Sequence, residues 1–166
     1  MSEICVSCRK PKAPYQCGIC QGQVCKSCAQ FQDEDINFMP KIPAALSHPV
    51  TCSGCFADQV EAPLAQFRET MEKAKEVVIF TKEQSKQTRY VKRKHAPYVI
   101  TDCEDEAEAI MRMSYLAASE GMNCLVDIEV STRKIVVGSH KKTVFTATAI
   151  PVDVDPSTIR ESWGKA

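Results

Sequence analysis

Residues 5–28 read CVSCRKPKAPYQCGICQGQVCKSC, and residues 49–56 read PVTCSGCF. Together they hold four CxxC pairs, Cys5/Cys8, Cys17/Cys20, Cys25/Cys28 and Cys52/Cys55, leaving only Cys103 and Cys124 among ten cysteines. A CxxC knuckle sets two thiolates on one tight turn, close enough to share a zinc ion with Zn–S bonds of about 2.3 Å, and two knuckles complete a tetrahedral site. Four knuckles therefore imply two zincs. A disulfide framework is the other use of so many cysteines, but it belongs to exported chains, and Met1 to Cys8 has neither the basic nor the apolar region of a signal peptide. A thioredoxin-like redox role needs one CxxC at a strand-to-helix turn, and no periodic pattern flanks these pairs to supply it.

The spacers decide which knuckles share an ion: eight residues (9–16), four (21–24) and 23 (29–51). Pairing in order would make two zinc ribbons; alternate pairing would make an interleaved cross-brace. A four-residue spacer suits a hairpin that hands the chain from one site to the other better than a separator between independent ribbons. The expected ligands are Cys5, Cys8, Cys25 and Cys28 for the first zinc, and Cys17, Cys20, Cys52 and Cys55 for the second.

In knuckle order, in the gap of CGICQGQVCKSC, and in a last knuckle preceded by Pro49-Val50 and followed by Phe56, residues 5–60 resemble a FYVE-type zinc finger. The resemblance implies two structural zincs. It does not carry the lipid site, because lipid-binding members have an acidic aromatic motif before the first knuckle and a basic His-rich run around the third cysteine. Here the first knuckle begins at Cys5, and Cys17 is flanked by Ala13-Pro14-Tyr15-Gln16 and Gly18-Ile19. RING-type ubiquitin ligases share the cross-brace but usually place a histidine among the ligands. This set is all cysteine, so that reading ranks last.

Charge agrees with the missing lipid site. The 166-residue chain balances 21 Lys+Arg against 21 Asp+Glu, which argues against a general polyanion binder and against an acidic tail. Residues 1–56 hold Arg9, Lys10, Lys12, Lys26 and Lys41 against Glu3, Asp33, Glu34 and Asp35. Eight thiolates and two Zn²⁺ bring that module to a net charge of about −3. An anionic membrane would repel it, and only Arg9, Lys10 and Lys12 form a small basic spot. No apolar run approaches the roughly 20 residues needed to span a bilayer, so the chain reads as soluble and cytoplasmic.

Between the third and fourth knuckles, Phe31, Ile36, Phe38, Met39, Ile42 and Leu46 are spread through a segment broken by Pro40 and Pro43. Prolines interrupt regular structure, so the segment reads as a loop whose apolar side chains cover the metal sites. An exposed Phe38-Met39 partner site is the sharper alternative. Val60, Leu64, Phe67, Met71 and Ala74 recur at steps of three and four, predicting a linker helix within 59–75 whose stable part starts near Ala62 with Pro63 in its first turn.

Residues 76–154 carry no metal motif and read as a second, α+β domain of antiparallel strands with one long helix. Val77-Val78-Ile79-Phe80 is a short strand; Arg89, Lys92, Arg93, Lys94 and His95, interleaved with Tyr90, Val91 and Tyr98, suggest the charged face of another. A helix is expected over 103–120, capped by Thr101 or Asp102 and stopped by Gly121, with Met122 making a Schellman contact. Cys124, Val126, Ile128 and Val130 alternate with polar residues as a half-buried strand, and a turn near Gly138 leads into a last strand over 143–150. EVVIFT, AASEGMNCLVDIEVS and TVFTATAIPV make this region similar to the YbjQ-like domains, small bacterial α+β proteins that assemble as oligomers. That family was once suspected of binding heavy metals, but Cys103 and Cys124 flank opposite ends of the helix and cannot share an ion. They read as buried thiols.

No nucleophile, hydrolase or phosphate-loop motif surrounds His48, His95 or His140. The expectation is a non-enzymatic zinc-binding adaptor. Its parts are a FYVE-like two-zinc module over 1–58, a linker helix over 59–75, a YbjQ-like domain over 76–154 through which copies could oligomerise, and a tail over 155–166. A protein partner is expected, and a phosphoinositide membrane is not. Nucleic acid, with the knuckles as ribbons and Arg89 to Lys94 on phosphates, is the runner-up.

Overall fold

The first knuckles leave few consecutive residues free to form regular structure, so the N-terminal part folds as short strands tied by turns. The computed structural model describes residues 3–158; of the expected tail, 159–166 lie outside the described residues. The chain divides into two compact units, with the boundary between Glu69 and Thr70.

In the first unit, β1 (Tyr15–Gln16) pairs antiparallel with β2 (Gln23–Val24), and β3 (Ala29–Phe31) with β4 (Val50–Cys52). The main apolar cluster gathers around the sulfurs: Cys5, Cys17, Cys25 and Cys52 pack with Ala13, Val24 and Ala29. Residues 32–49 are a loop with two 3₁₀ turns, Ile36–Phe38 and Ala44–Ser47. Ile36 and Leu46 are buried but stand outside the cysteine cluster, and Phe38 and Met39 are half-buried rather than an exposed pair.

The linker helix also starts earlier than its periodicity suggests. It grows directly out of the fourth knuckle as α1 (Ser53–Cys55), a widened π turn (Phe56–Val60) and α2 (Glu61–Lys75). Pro63 is thereby placed inside a continuous helical run. A proline there removes one backbone bond and crowds the carbonyl four residues back. The wide turn just before it, closed by Glu61 N–H to the Phe56 carbonyl, provides the extra room.

The second unit is a four-stranded sheet in the order β5–β7–β8–β6, formed by β5 (Val78–Thr81), β6 (Tyr98–Cys103), β7 (Cys124–Val137) and β8 (His140–Val152). Between β6 and β7 runs the single long helix α3 (Glu106–Ser119). The expected all-antiparallel arrangement is corrected, because β5 runs parallel to β7 and the sheet is mixed. The helix starts later than expected. Asp105, not Thr101 or Asp102, caps it by accepting the Glu108 N–H at 2.7 Å, and Cys103 closes β6 instead. Its end is the expected Schellman turn: Gly121 has φ +78, Met122 N–H donates to the Ala117 carbonyl at 2.8 Å, and the Met122 side chain joins the core.

The strand alternation is broken at one residue. Asp127 sits at φ +54 in a bulge between Val126 and Glu129, and a bulge reverses the facing of everything after it. Leu125 and Ile128 therefore share the face covered by α3, with Ala109, Met113 and Ala117. Cys124 and Val126 face the other way, against Phe80 and Val152. The start of β7 is buried on both faces, not on one. The opposite cover comes from residues 85–97, which the aromatic interleaving made look like a strand and which instead form turns and coil. Within it Val91 packs against the cluster of Phe80, Cys124, Val126 and Val152, Thr88 is fully buried, and Arg93 is held by Asp127 rather than free for phosphate.

Candidate metal centres

The four knuckles are built in two ways. After Cys8 and Cys20 the chain turns back at once: Arg9 N–H donates to the Cys5 carbonyl at 2.9 Å and Gln21 N–H to the Cys17 carbonyl at 3.0 Å, with Arg9 and Gln21 both at φ +62. The other two knuckles open regular elements. Ala29 N–H reaches the Cys25 carbonyl at 2.9 Å as β3 begins, and Cys52 caps α1, its Sγ accepting the Cys55 N–H at 3.4 Å.

Backbone bonds then tie unlike knuckles together. Val6 N–H, inside the first knuckle, donates to the Gln23 carbonyl on the strand entering the third at 2.9 Å. Gly18 N–H, inside the second, donates to the Val50 carbonyl on the strand entering the fourth, also at 2.9 Å. The sulfurs follow. Cys5, Cys8, Cys25 and Cys28 form one group and Cys17, Cys20, Cys52 and Cys55 another, the Sγ atoms within each lying within 4.8 Å of one another. These are the two sets read from the spacers.

Their separations fit a metal ion. Cys8 and Cys25 Sγ are 3.6 Å apart, and Cys20 and Cys52 Sγ 3.9 Å apart. A disulfide requires about 2.05 Å, whereas four thiolates at about 2.3 Å from a tetrahedral ion lie about 3.8 Å apart. All eight cysteines are free. The N–H groups of Cys25 and Cys8 lower the Cys5 thiol to about 6 against the effect of burial. Burial pushes the Cys17 thiol up, but the N–H groups of Cys20, Cys52 and Ile19 together bring it down to about 6. In each set another sulfur goes the opposite way. Cys28 is raised to about 12, chiefly by the Cys25 and then the Cys8 side chains, and Cys55 is raised to about 12 by burial and then by Cys52. Four sulfurs this close cannot all ionise without a cation between them, so metal binding must displace protons.

Two glycines set how closely these turns approach. A Cβ on Gly22 would lie 2.4 Å from Val6 Cγ1, and one on Gly18 would lie 2.5 Å from His48 Cγ and Nδ1. In the sequence His48 belongs to no recognisable motif, and its packing on Gly18 leaves no local signal in the chain. Gly18→Ala and Gly22→Ala are each expected to cost about 1–3 kcal/mol, because the clash meets a side chain held by its own turn. Thermal melts of the metal-loaded variants check this, and unchanged midpoints would show that the knuckles have slack.

Cys103 and Cys124 belong to neither group. Cys103 packs on the α3 side of the sheet and Cys124 on the opposite side. Burial pushes both thiols up, Cys124 to about 11, as for small apolar side chains. Cys103→Ala and Cys124→Ala should each lose about 1 kcal/mol and keep the full metal content. A fall in metal stoichiometry would assign one of them as a ligand. Among the described residues, neither His48, His95 nor His140 joins a group able to hold a metal, and no helix is long and apolar enough to cross a membrane.

Comparisons with protein-family models, curated proteins and solved structures return no match for this chain.

Proposed function

We propose that the first unit is a structural two-zinc cross-brace of the FYVE-like kind that presents a protein-binding surface. The carrying observation is the interleaved pair of cysteine tetrads with sulfur separations of 3.6 and 3.9 Å. Zinc suits an all-thiolate tetrahedral donor set and a site with no open coordination position, so its role is to hold the turns together rather than to activate water. The second unit self-associates and so multiplies the binding surface, in the cytoplasm. The whole is a non-enzymatic adaptor.

Metal analysis of the purified chain should give two zincs, and cobalt substitution the absorption of two tetrahedral thiolate sites. One ion per chain, or cadmium NMR linking Cys5/Cys8 with Cys17/Cys20, would refute the cross-brace. Affinity capture with zinc-loaded protein against a zinc-stripped control tests the adaptor role. A lipid role is not supported: each Lys near an anionic bilayer contributes about 1 kcal/mol, and Arg9, Lys10 and Lys12 are the only local cluster. Residues 1–69 should show no recruitment to phosphatidylinositol 3-phosphate liposomes at physiological salt. Recruitment abolished by Lys10→Glu with Lys12→Glu would restore the lipid reading.

A further inference from the structure

A four-stranded sheet is about 19 Å across at about 4.8 Å per strand, while one helix covers about 10 Å. α3 contacts β6, β8 and β7, and beside it the sheet face is left open over β5 and over β7 beyond Ile128, where Ile79 and Thr132 are exposed and Val130 is half-buried. A groove of about 540 Å³ results. Ile79, Ile110, Val130 and Phe145 line it. Its charged lining is acidic on balance, because Lys82 is taken up by Glu129 at 2.8 Å and the exposed Glu83 and Glu106 remain. Neither glutamate makes an ion pair among the described residues.

The β7–β8 hairpin continues past both edge strands. β5 pairs with β7 only as far as Ile128, and β6 with β8 only as far as Phe145. Beyond them Arg133 to Val137 and His140 to Val144 form a two-stranded arm, with four cations and no acidic residue. On one side the arm is anchored: Arg133 pairs with Asp102 at 2.7 Å, Lys142 with Glu104 at 3.1 Å, and Val144 is buried. The other side carries Lys134, Val136, Lys141 and Thr143, all exposed, Val136 at 71%. Neither Lys134 nor Lys141 makes an ion pair among the described residues. By strand alternation after the bulge, this side is continuous with the groove: Ile128, Val130, Thr132, Lys134 and Val136 share one face.

We propose that this face is a two-fold interface between copies of the chain, in which the arm of each covers the groove of the other and Lys134 and Lys141 meet Glu83 and Glu106. The surface is self-complementary. Its apolar, acid-lined end lies at the root of the hairpin and its basic end at the tip, about 14 Å further along the strands from Val130 to Lys134. Two hairpins laid antiparallel, face to face, bring each tip onto the other root, which is the isologous arrangement of a closed dimer. A second copy fits better than a polyphosphate. The other two arm cations already hold carboxylates, and the glutamates beside the groove would repel a phosphate backbone. The inference rests on the reading that the second unit self-associates and is independent of what the zinc module binds.

The test uses the full zinc-loaded chain in sedimentation equilibrium, over about 1 to 100 µM. The wild type should dimerise. Lys134→Glu with Lys141→Glu, and separately Glu83→Lys with Glu106→Lys, should each weaken the dimer about 100-fold or more, because each sets like charges face to face. Both pairs lie on exposed surface, and unchanged circular dichroism confirms that each variant folds. Mixing the two variants should restore dimers, since every arm then meets a groove of opposite sign. A monomeric wild type would overturn both this arrangement and the self-association reading. A dimer insensitive to both swaps, or a ring larger than two, would overturn the arrangement alone. A monomer that retards duplex DNA through Lys134 and Lys141 would replace the second copy with nucleic acid.

Discussion

Cys25→Ser is expected to unfold the first unit and to leave the second melting as before. Cys25 belongs to the first tetrad, its Sγ 3.6 Å from that of Cys8, and its carbonyl holds the turn that opens β3. Structural zinc contributes about 10 to 16 kcal/mol of apparent binding energy in modules of this size, far beyond what a small apolar core supplies. On the proposed zinc reading, replacing one thiolate by a hydroxyl sacrifices most of that at the first site. The second ion cannot compensate, because the strand from Gln23 to Val24 belongs to both paths: it carries the Val6 bond and pairs with β1 beside the second site. Among the described residues the second unit holds no group able to bind a metal, and it has its own core. Amide exchange should therefore show protection lost through the first unit and retained at Leu125 and Met113. One cooperative loss of both halves would mean that they fold as one body.

The cysteine groups were legible in the chain because metal ligation depends on residue type and short spacing. Four identical knuckles separated by unequal spacers leave little freedom in pairing. The sheet was less legible. A bulge costs one residue and has no composition of its own, so Cys124, Val126, Ile128 and Val130 looked like one face of a strand, while Asp127 at φ +54 divides them between two. That β5 lies parallel to β7 depends on where a distant strand docks, which its four residues do not encode. The basic stretch 89–95 misled for a related reason. Alternating aromatic and charged residues suit a strand, but Arg93 is taken up by an ion pair 34 positions away, and that contact fixes the segment as a cap over the sheet. The groove and the arm were equally hidden, since both depend on where neighbouring strands stop.

Arg93→Ala is expected to release that cap and to cost about 3 kcal/mol, the upper range for hydrogen bonds to charged groups. Arg93 Nε and Nη2 donate to the two Asp127 carboxylate oxygens at 2.5 and 3.0 Å. Nη1 donates to the Thr88 and Val91 carbonyls at 3.1 and 2.9 Å, and Nη2 also donates to Thr88 Oγ1 at 3.0 Å. Thr88 is fully buried and both ionic partners are about a quarter exposed, so truncation strands several polar groups where water reaches them poorly. Asp127 loses the partner that offsets its left-handed backbone at the bulge. The same pair makes stability depend on acid. The Arg93 hydrogen bonds hold the Asp127 carboxyl below its ordinary range, more than offsetting the opposing effect of burial. A carboxyl depressed in the folded state stabilises fully above its unfolded pKa of about 3.9 and loses that contribution as pH falls through the folded value. Urea unfolding of the second unit should thus show a wild-type advantage over Arg93→Ala that is flat from neutral pH down to about 5 and shrinks below about 4. Arg93→Lys should recover only part of it, since an ammonium cannot span both carboxylate oxygens and the Thr88 carbonyl at once. An advantage that stays constant through the acid range would assign the effect of Arg93 to its bonds with the Thr88 and Val91 carbonyls and not to the ion pair.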